Sequence, residues 1–399
     1  MFSSSTDTPP SLPLDRPLLD PAPEYGRWVR EQSPVRITLW GDNHPWLITR
    51  NEDARAVLSD ARFSSENIRP GFPGLQPTTP PVTPGQLFAM DPPDHTRLRR
   101  MLIPEFTFRR VEQLRPAISR ITGELLDGLL KQEQPADLVE HFTLPLPLLV
   151  ICELLGVPYE DRDFIHRQAS AFATITAGPE AMRAGWAALF GYLQQQLAAK
   201  GGAPGDDLMS KLAVERVATG DATAAEAAGM LVQLLIAGHE TTASMLSLGV
   251  VSLLRHPEQL AVLRAEKDLV PGAVEELLRY LSIVHVGLRR IATEDVEIGG
   301  VTVRAGDGVV VALQAANRDP SVFADPDTLD VTRDAGQHLA FGHGLHHCLG
   351  QSLARAELQI ALPMLFERLP ELRLVGSAAE EYAFEGRAVH GVRELPVAW

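Results

Sequence analysis

The sequence predicts a mainly α protein with small β-sheets, and three observations carry that expectation. Residues 91 to about 290 place apolar side chains at helical spacing, punctuated by Pro104, Gly156-Val157-Pro158 and the loop GGAPGDD at 201–207. Strand-like alternation is confined to short pieces near the two ends. Apolar residues make up 45% of the 399, enough to bury a large core.

Taken in order, residues 1–24 are acidic and proline-rich and read as a flexible arm or extended strap, with residues 25–399 as a single domain. VRITLW and PWLITR alternate around Gly41-Asp42-Asn43, a hairpin over 35–49. Residues 66–86 are rich in Pro, Gly and Thr and form a long loop of the kind that serves as a lid. Within the helical region, 223–255 is one apolar pattern, a helix of nearly 50 Å at about 1.5 Å per residue. VEIGGVTV is a hairpin turned by Gly-Gly, and GDGVVVALQ continues the strand character over 296–315. Residues 317–345 are irregular, a final helix spans about 349–367, and 380–399 read as a short strand pair.

Net charge is −15, which disfavours nucleic acid or an anionic membrane as the main partner. Two cysteines, Cys152 and Cys348, are too few for a disulfide scaffold and point to a reducing cytoplasm. Cys152 sits in LVICELLGV and reads as a small core residue. The N-terminus lacks a basic and an apolar region, so no secretion signal is visible. No uninterrupted run of about 18 apolar residues implies a transmembrane helix.

Four constellations carry chemistry. FGHGLHHCLG, 341–350, places Cys348 at the N-terminus of the last helix, where backbone N–H groups favour a thiolate. Gly342 and Gly344 let that loop turn tightly against something flat or bulky. A thiolate so held suits one axial bond to a haem iron. The competing readings are zinc, using His343 and His347 with Cys348, and no metal at all. Zinc wants four ligands, and no second Cys/His cluster supplies the rest.

The second constellation, AGHETTAS at 237–244, lies inside the long helix. Gly238 there costs ~1 kcal/mol against Ala, and Glu240, Thr241 and Thr242 are polar among Leu, Ile and Ala. They read either as a Thr bonded to the carbonyl one turn back with an Arg-paired Glu240, or as a bent helix with an oxygen slot and an acid–alcohol proton relay. The third is EELLR, where Glu276 and Arg279 face each other three residues apart. An exposed pair of this kind is worth only ~0.2–0.5 kcal/mol. In the fourth, MDPPDHTRLRRMLIP at 90–104, His95 and Arg99 share a helix face suited to carboxylates or phosphates, unless that face is simply solvated.

Together and in this order these stretches resemble the cytochrome P450 family of haem-thiolate monooxygenases, from about residue 25 to Trp399. Phe341, Gly344, Cys348 and Gly350 match its F-x-x-G-x-x-x-C-x-G loop, Glu276 and Arg279 its E-x-x-R, and Ala237, Gly238, Glu240 and Thr241 its oxygen-activation motif. LIPEFTFRR, ICELLGVPY, LRRIATEDVEIGG and the terminal LPVAW resemble the soluble actinobacterial branch that includes vitamin D, polyene and macrolide hydroxylases.

The resemblance implies the triangular, mainly helical fold of that family and haem b as cofactor. Cys348 becomes the iron ligand, and His95, Arg99, Arg290 and His346 the propionate contacts. Phe341, Gly342 and Gly350 shape the loop, and Ala237 and Gly238 line the oxygen site. Glu240 and Thr241 become the catalytic proton-delivery pair, while His343 and His347 gain no role. One departure stands out. The family often completes the Glu-Arg pair with an Arg or His, and here that position holds Thr328, so Arg333 or backbone carbonyls must satisfy Glu276.

The resemblance also implies insertion of one oxygen atom of O2 into a C–H bond, with electrons derived from NAD(P)H. No flavin or nicotinamide motif lies in the chain, so a ferredoxin and its reductase are the expected partners. Arg97, Arg100, Arg109 and Arg110 are the candidate ferredoxin patch, ordinary surface arginines being the alternative. A peroxide-driven or nitric-oxide-reducing enzyme would depart from the acid–alcohol pair, and a non-catalytic haem sensor would not need it. By analogy the loop to residue 90 covers a pocket lined by 233–237, 284–288 and 390–392, with Gln233, Ile236, Val284, His285, Leu87 and Val392 as named contacts. Their apolar character implies a bulky hydrophobic substrate (macrolide, polyene, terpenoid or sterol-like) acted on by a cytoplasmic monomer. Gln233 and His285 are the polar exceptions, and either could meet a substrate oxygen.

Overall fold

The computed structural model describes residues 9–31, 33–75, 83–173, 178–376, 383 and 388–399. Helices dominate them: α1 Pro23–Glu31, α2 Asn51–Ser59, α3 Asp94–Leu102, α4 Phe108–Leu129, α5 Pro145–Leu155, α6 Arg162–Ala173, α7 Gly178–Gly202, α8 Leu208–Lys211, α9 Ala224–Arg255, α10 Pro257–Ala265, α11 Val270–Leu281, α12 Leu313–Ala316 and α13 Gln351–Arg368. The strands are short: β1 Val35–Arg36, β2 Trp46–Ile48, β3 Phe63–Ser64, β4 Ala136–Asp137, β5 Leu288–Ala292, β6 Val296–Ile298, β7 Val301–Val303, β8 Gly308–Val311, β9 Arg373–Leu374 and β10 Pro396–Ala398.

Helix α9 is the axis of the molecule. Its start is a reciprocal cap: Thr223 Oγ1 accepts the Glu226 N–H at 3.1 Å and the Glu226 carboxylate accepts the Thr223 N–H at 2.8 Å. Pro257, just past His256, begins the next helix. Apolar side chains cover almost every face of α9, so it must be buried all round, and α5, α7 and α13 pack against it. Its most apolar window is long enough to cross a membrane, but 78% of that window is buried inside the protein.

The five-stranded sheet runs β1-β2-β8-β5-β3, with β2 and β8 parallel and the other neighbours antiparallel. The expected hairpin over 35–49 is its first pair, Val35 facing Leu47. Alternation splits the fully buried β8 between two cores. Val309 and Val311 join Ile48, Val57 and Phe63 on one side, while Val310 joins Ile37, Leu47, Tyr25 and Trp28 on the other. The Gly299-Gly300 hairpin of β6 and β7 is as expected.

Two expectations shift. Residues 9–22 are the strap, not a loose arm: Ser11 bridges Thr38, Leu18 and Leu19 are buried, and Arg16 donates to the carbonyls of Leu281 and Ser282 and to Gln314 Oε1 at 3.0 Å. The C-terminal strand pair is not local. β10 pairs with both β4 and β9, leaving, among the described residues, the Ala383–Val392 bridge inside the expected region. Residues 76–82 of the long loop, and most of 377–387, lie outside the described residues.

Candidate active site

The loop before α13 is fixed by its backbone. The Cys348 N–H donates to the Phe341 carbonyl at 2.9 Å and the Gly342 N–H to Leu339 O at 2.8 Å. Gly344 has φ +70, and a Cβ there would lie 2.2 Å from the Leu58 carbonyl, so any side chain would drive the loop off the end of α2. The tight glycine approach is thus to protein backbone. Cys348 precedes the N-cap Gly350 and is half-buried. Burial pushes its thiol up; the N–H groups of Gly350 and Gln351 and the guanidinium groups of Arg99 and Arg355 pull it back.

Beside this loop lies a mainly basic cluster, whose neighbouring acid, Asp91, accepts from the Ser64 hydroxyl and the Ser65 N–H. His95 is 1% exposed, and among the described residues neither of its ring nitrogens has a hydrogen-bond partner. Its ring lies 4.2 Å from that of His346, whose Nε2 is 3.0 Å from Ser65 Oγ. Arg290 is buried and donates to the Arg289 carbonyl at 2.8 Å; Arg99 donates to the His347 carbonyl. Neither guanidinium pairs with a carboxylate among the described residues. Burial first, then mutual repulsion with Arg290, His95 and Arg99, pushes His346 down to about 3. Burial, then Arg99, lowers His95, and burial brings Arg290 down to about 10, with the Asp91 charge opposing both shifts. Buried charges are ordinarily paired. Asp91 acts on the cluster through space while its oxygens are bonded to Ser64 and Ser65, so the cluster keeps donors for a further anion.

The Glu276–Arg279 pair is the opposite case, since both side chains are 0% exposed. Arg279 Nε and Nη2 donate to the two Glu276 oxygens at 2.6 and 2.7 Å, and the remaining donors reach the carbonyls of Asn317, Pro326 and Thr328. Arg333 Nε completes the group at 3.2 Å from Glu276 Oε1, with the Asp330 N–H at 3.0 Å on the same oxygen. The open position is therefore filled by Arg333 together with backbone, Thr328 contributing its carbonyl. An exposed pair is excluded.

On α9, Gln233, Ala237 and Thr241 recur at i, i+4 and i+8 and so share a face. Ala237 is exposed although it sits mid-way along a buried helix, and Gly238 and Thr241 are half-buried, so this face borders open internal space. The helix is unbroken through Gly238. Thr241 Oγ1 donates to the Ala237 carbonyl at 2.7 Å, which is the back-bonded arrangement, and Glu240 is 6% exposed beside it. Gln233 Oε1 is buried without a hydrogen-bond partner among the described residues. Of the other named pocket residues, Leu87, His285 and Val392 are buried and Ile236 and Val284 half-buried. Val284 bridges Val389, and His285 packs on His390 with ring centroids 5.7 Å apart. A surface recess beside the strap, lined by Asp15, Arg16, Leu18 and Ala383, holds none of the candidate residues.

A family model for cytochrome P450 matches residues 205–370. Cytochrome P450-SU2 of Streptomyces griseolus is 49% identical over 383 residues, 95% of this chain and 94% of that one. The vitamin D3 dihydroxylase of Streptomyces griseolus is 42% identical over 99% of this chain and 98% of its own.

The chain belongs to the cytochrome P450 family.

Among solved structures, mycinamicin VIII C21 methyl hydroxylase MycCI from Micromonospora griseorubida superposes with a TM-score of 0.90 at 39% identity, covering 98% of this chain and 100% of that one. The protein is a cytochrome P450 monooxygenase that uses haem b, O2 and electrons supplied by redox partners. The residues present fit haem: one half-buried thiol at a helix start, a basic cluster with donors to spare for two carboxylates, and an exposed Ala237 on the central helix. They do not fit zinc, because no three His, Cys, Asp or Glu side chains gather into a metal cage among the described residues.

Sequence reasoning missed one part of this P450 site. Glu275, adjacent to Glu276, accepts both Arg355 Nε and Nη2 at 2.6 and 2.8 Å, and His338 Nε2 lies 3.0 Å away. Burial pushes Glu275 up, but the hydrogen bonds from His338 and Arg355 outweigh it and bring the carboxyl down to about 2. The doubled acid of EELLR was the available signal. Of the four surface arginines, Arg97 pairs with Glu226 and Arg110 with Glu105, so both are neutralised; Arg100 and Arg109 stay exposed.

Proposed function

We propose that Cys348 binds the haem iron as a thiolate and that His95, Arg99, Arg290 and His346 hold the two propionates. The basic cluster beside the Cys348 loop carries this reading, since two carboxylates would accept from the His95 ring N–H and from both guanidinium groups. Phe341, Gly342 and Gly350 shape the thiolate side, and Ala237 and Gly238 border the oxygen side. Bound haem supplies the one-electron and oxygen chemistry; the thiolate strengthens its capacity for O–O cleavage.

The chain's own task is to bind, orient and move protons. Thr241 has committed its hydroxyl hydrogen to the Ala237 carbonyl, which leaves its oxygen lone pairs directed away from that bond and able to take a proton. Glu240, next in the chain and nearly buried, is the group that resupplies it. One atom of O2 enters a C–H bond of the substrate and the other leaves as water.

The substrate is a bulky hydrophobic molecule of the macrolide, polyene, terpenoid or sterol-like kind. Relatives named for vitamin D3 and mycinamicin support this class, as does the apolar character of Leu87, Ile236, Val284 and Val392. Gln233 hydrogen-bonds a polar group of that substrate through its orphaned Oε1; His285 is the alternative contact. A ferredoxin delivers the electrons at exposed Arg100 and Arg109, next to Phe108, which is 72% exposed. The work is cytoplasmic.

Reconstitution with ferredoxin, its reductase, NAD(P)H and a panel of such substrates tests the reading. Hydroxylated product should require both O2 and NAD(P)H. Product formed without either would overturn it. Gln233→Leu should weaken the substrate-induced ferric spin shift roughly tenfold, the worth of one hydrogen bond. If Gln233→Leu and His285→Leu both keep affinity and regiochemistry, the polar contact is elsewhere.

A further inference from the structure

Arg355 ties three elements to the Cys348 loop. Its Nε and Nη2 clamp the two oxygens of Glu275 on α11 at 2.6 and 2.8 Å. Its Nη1 donates to Gln351 Oε1 at 2.7 Å, and Gln351 Nε2 lies 3.1 Å from His347 Nδ1, next to the cysteine. Its guanidinium carbon sits 4.5 Å from the ring centre of Phe341, the residue whose carbonyl receives the Cys348 N–H.

The other side of Glu275 is also fixed. The Ala340 N–H donates to His338 Nδ1 at 3.1 Å, which places the ring proton on Nε2, facing Glu275 Oε2 at 3.0 Å. His338 is thus a neutral donor and leaves the Glu275–Arg355 charge balance to those two groups. Arg355 and Glu275 are 26% and 22% exposed, so water screens their charges only in part. Arg99 and Arg355 are the cations whose charge acts on Cys348.

We propose that Arg355 is a positioning residue for the Cys348 thiolate. Its charge withdraws electron density from the sulfur, its stacking on Phe341 fixes the loop, and Glu275 sets how much of that charge the sulfur feels. The proposal rests on the preceding assignment of Cys348 to iron. It makes the Glu275–Arg355 pair a tuner of the metal centre through contacts outside the ligand itself.

The test is the ferric/ferrous midpoint potential of the haem-loaded protein, measured with the carbon monoxide spectrum of each sample. A neighbouring positive charge favours the reduced form. Arg355→Gln should therefore shift the potential downward, Glu275→Gln upward, and the double variant should return near the parent value. Arg355→Lys keeps the charge but loses the bidentate and stacked geometry. It should hold the potential while losing the thiolate-type spectrum faster on standing.

A purely structural brace would instead move both single variants in the same direction or not at all, and either result would overturn the proposal. If Arg355→Gln does not retain haem, Glu275→Gln decides: an upward shift supports the tuning and an unchanged potential rejects it. A parent protein without the thiolate spectrum would mean that the Cys348 assignment itself had failed, an outcome visible before any variant is made.

Discussion

Two buried groups of charges stand in this molecule, and they are built on opposite rules. Around Glu276, Arg279 and Arg333 the guanidinium groups find acceptors inside the chain in the Glu276 oxygens and the carbonyls of Asn317, Ala324, Asp325, Pro326 and Thr328, and the Asp330 N–H donates to Glu276 as well. Around His95, Arg99, Arg290 and His346 the nearest acid, Asp91, is bonded to Ser64 and Ser65 instead, and among the described residues neither His95 ring nitrogen has a hydrogen-bond partner. A satisfied cluster is a structural joint, here locking α11 to the irregular segment that leads into the Cys348 loop. A mainly basic cluster with donors left over is a receptor that an outside anion completes. The same residue types therefore carry different functions according to whether their partners are in the chain.

The largest expected effect breaks the satisfied cluster. Arg279→Leu would leave the Glu276 carboxylate buried with only Arg333, at a cost of about 3–5 kcal/mol. Against a total stability of roughly 5–15 kcal/mol, chemical denaturation should show a strongly lowered midpoint, or no folded protein, whether or not haem is present. A midpoint within error of the parent would place that pair with ordinary surface salt bridges.

The receptor cluster should respond the other way. Arg290→Leu removes one charge-assisted contact to a propionate, about 1.5–3 kcal/mol, so haem should bind roughly 10- to 100-fold more weakly in a titration of apo-protein. The apo-protein itself should be as stable as the parent or more so, because a repelling charge is gone. A variant that loses apo stability instead would show the cluster to be structural after all.

The smallest effect separates the Glu275 brace from both clusters through pH. Its carboxyl falls from an ordinary 4.5 to about 2 in the folded state, so the unfolded chain binds the proton first. The stability it contributes is complete above pH 4.5 and is lost as pH falls toward about 2. Glu275→Gln should flatten that part of the stability–pH curve, measured by denaturant midpoint in steps of pH. An unaltered acid limb would remove Glu275 from the account.

The sequence made local features legible and left distant pairings hidden. The Cys348 loop could be read because glycines, cysteine and helix start lie within ten residues, and Glu276–Arg279 because three residues on a helix fix adjacency. Burial of that pair could not be read: it depends on backbone carbonyls 38 to 49 residues away. Arg333 was within reach as one of two alternatives. The Glu275–Arg355 clamp joins residues 80 apart, and neither residue announces it alone. The strap was ambiguous from composition, since Arg16 finds its acceptors more than 260 residues away. Two of the four surface arginines proved to be paired: Glu226, 129 residues from Arg97, meets it only in the folded chain, whereas Glu105, five residues before Arg110, lay within local reach.

The central claim is that Cys348 and the basic cluster of His95, Arg99, Arg290 and His346 hold a haem. The most direct measurement is the absorption spectrum of the purified, reduced protein under carbon monoxide, taken in parallel for the parent and Cys348→Ser. The account predicts the strongly red-shifted Soret band of a thiolate-ligated ferrous haem in the parent and its loss in the variant. A histidine-type spectrum in fresh parent protein, or a red-shifted band that survives in Cys348→Ser, would contradict it.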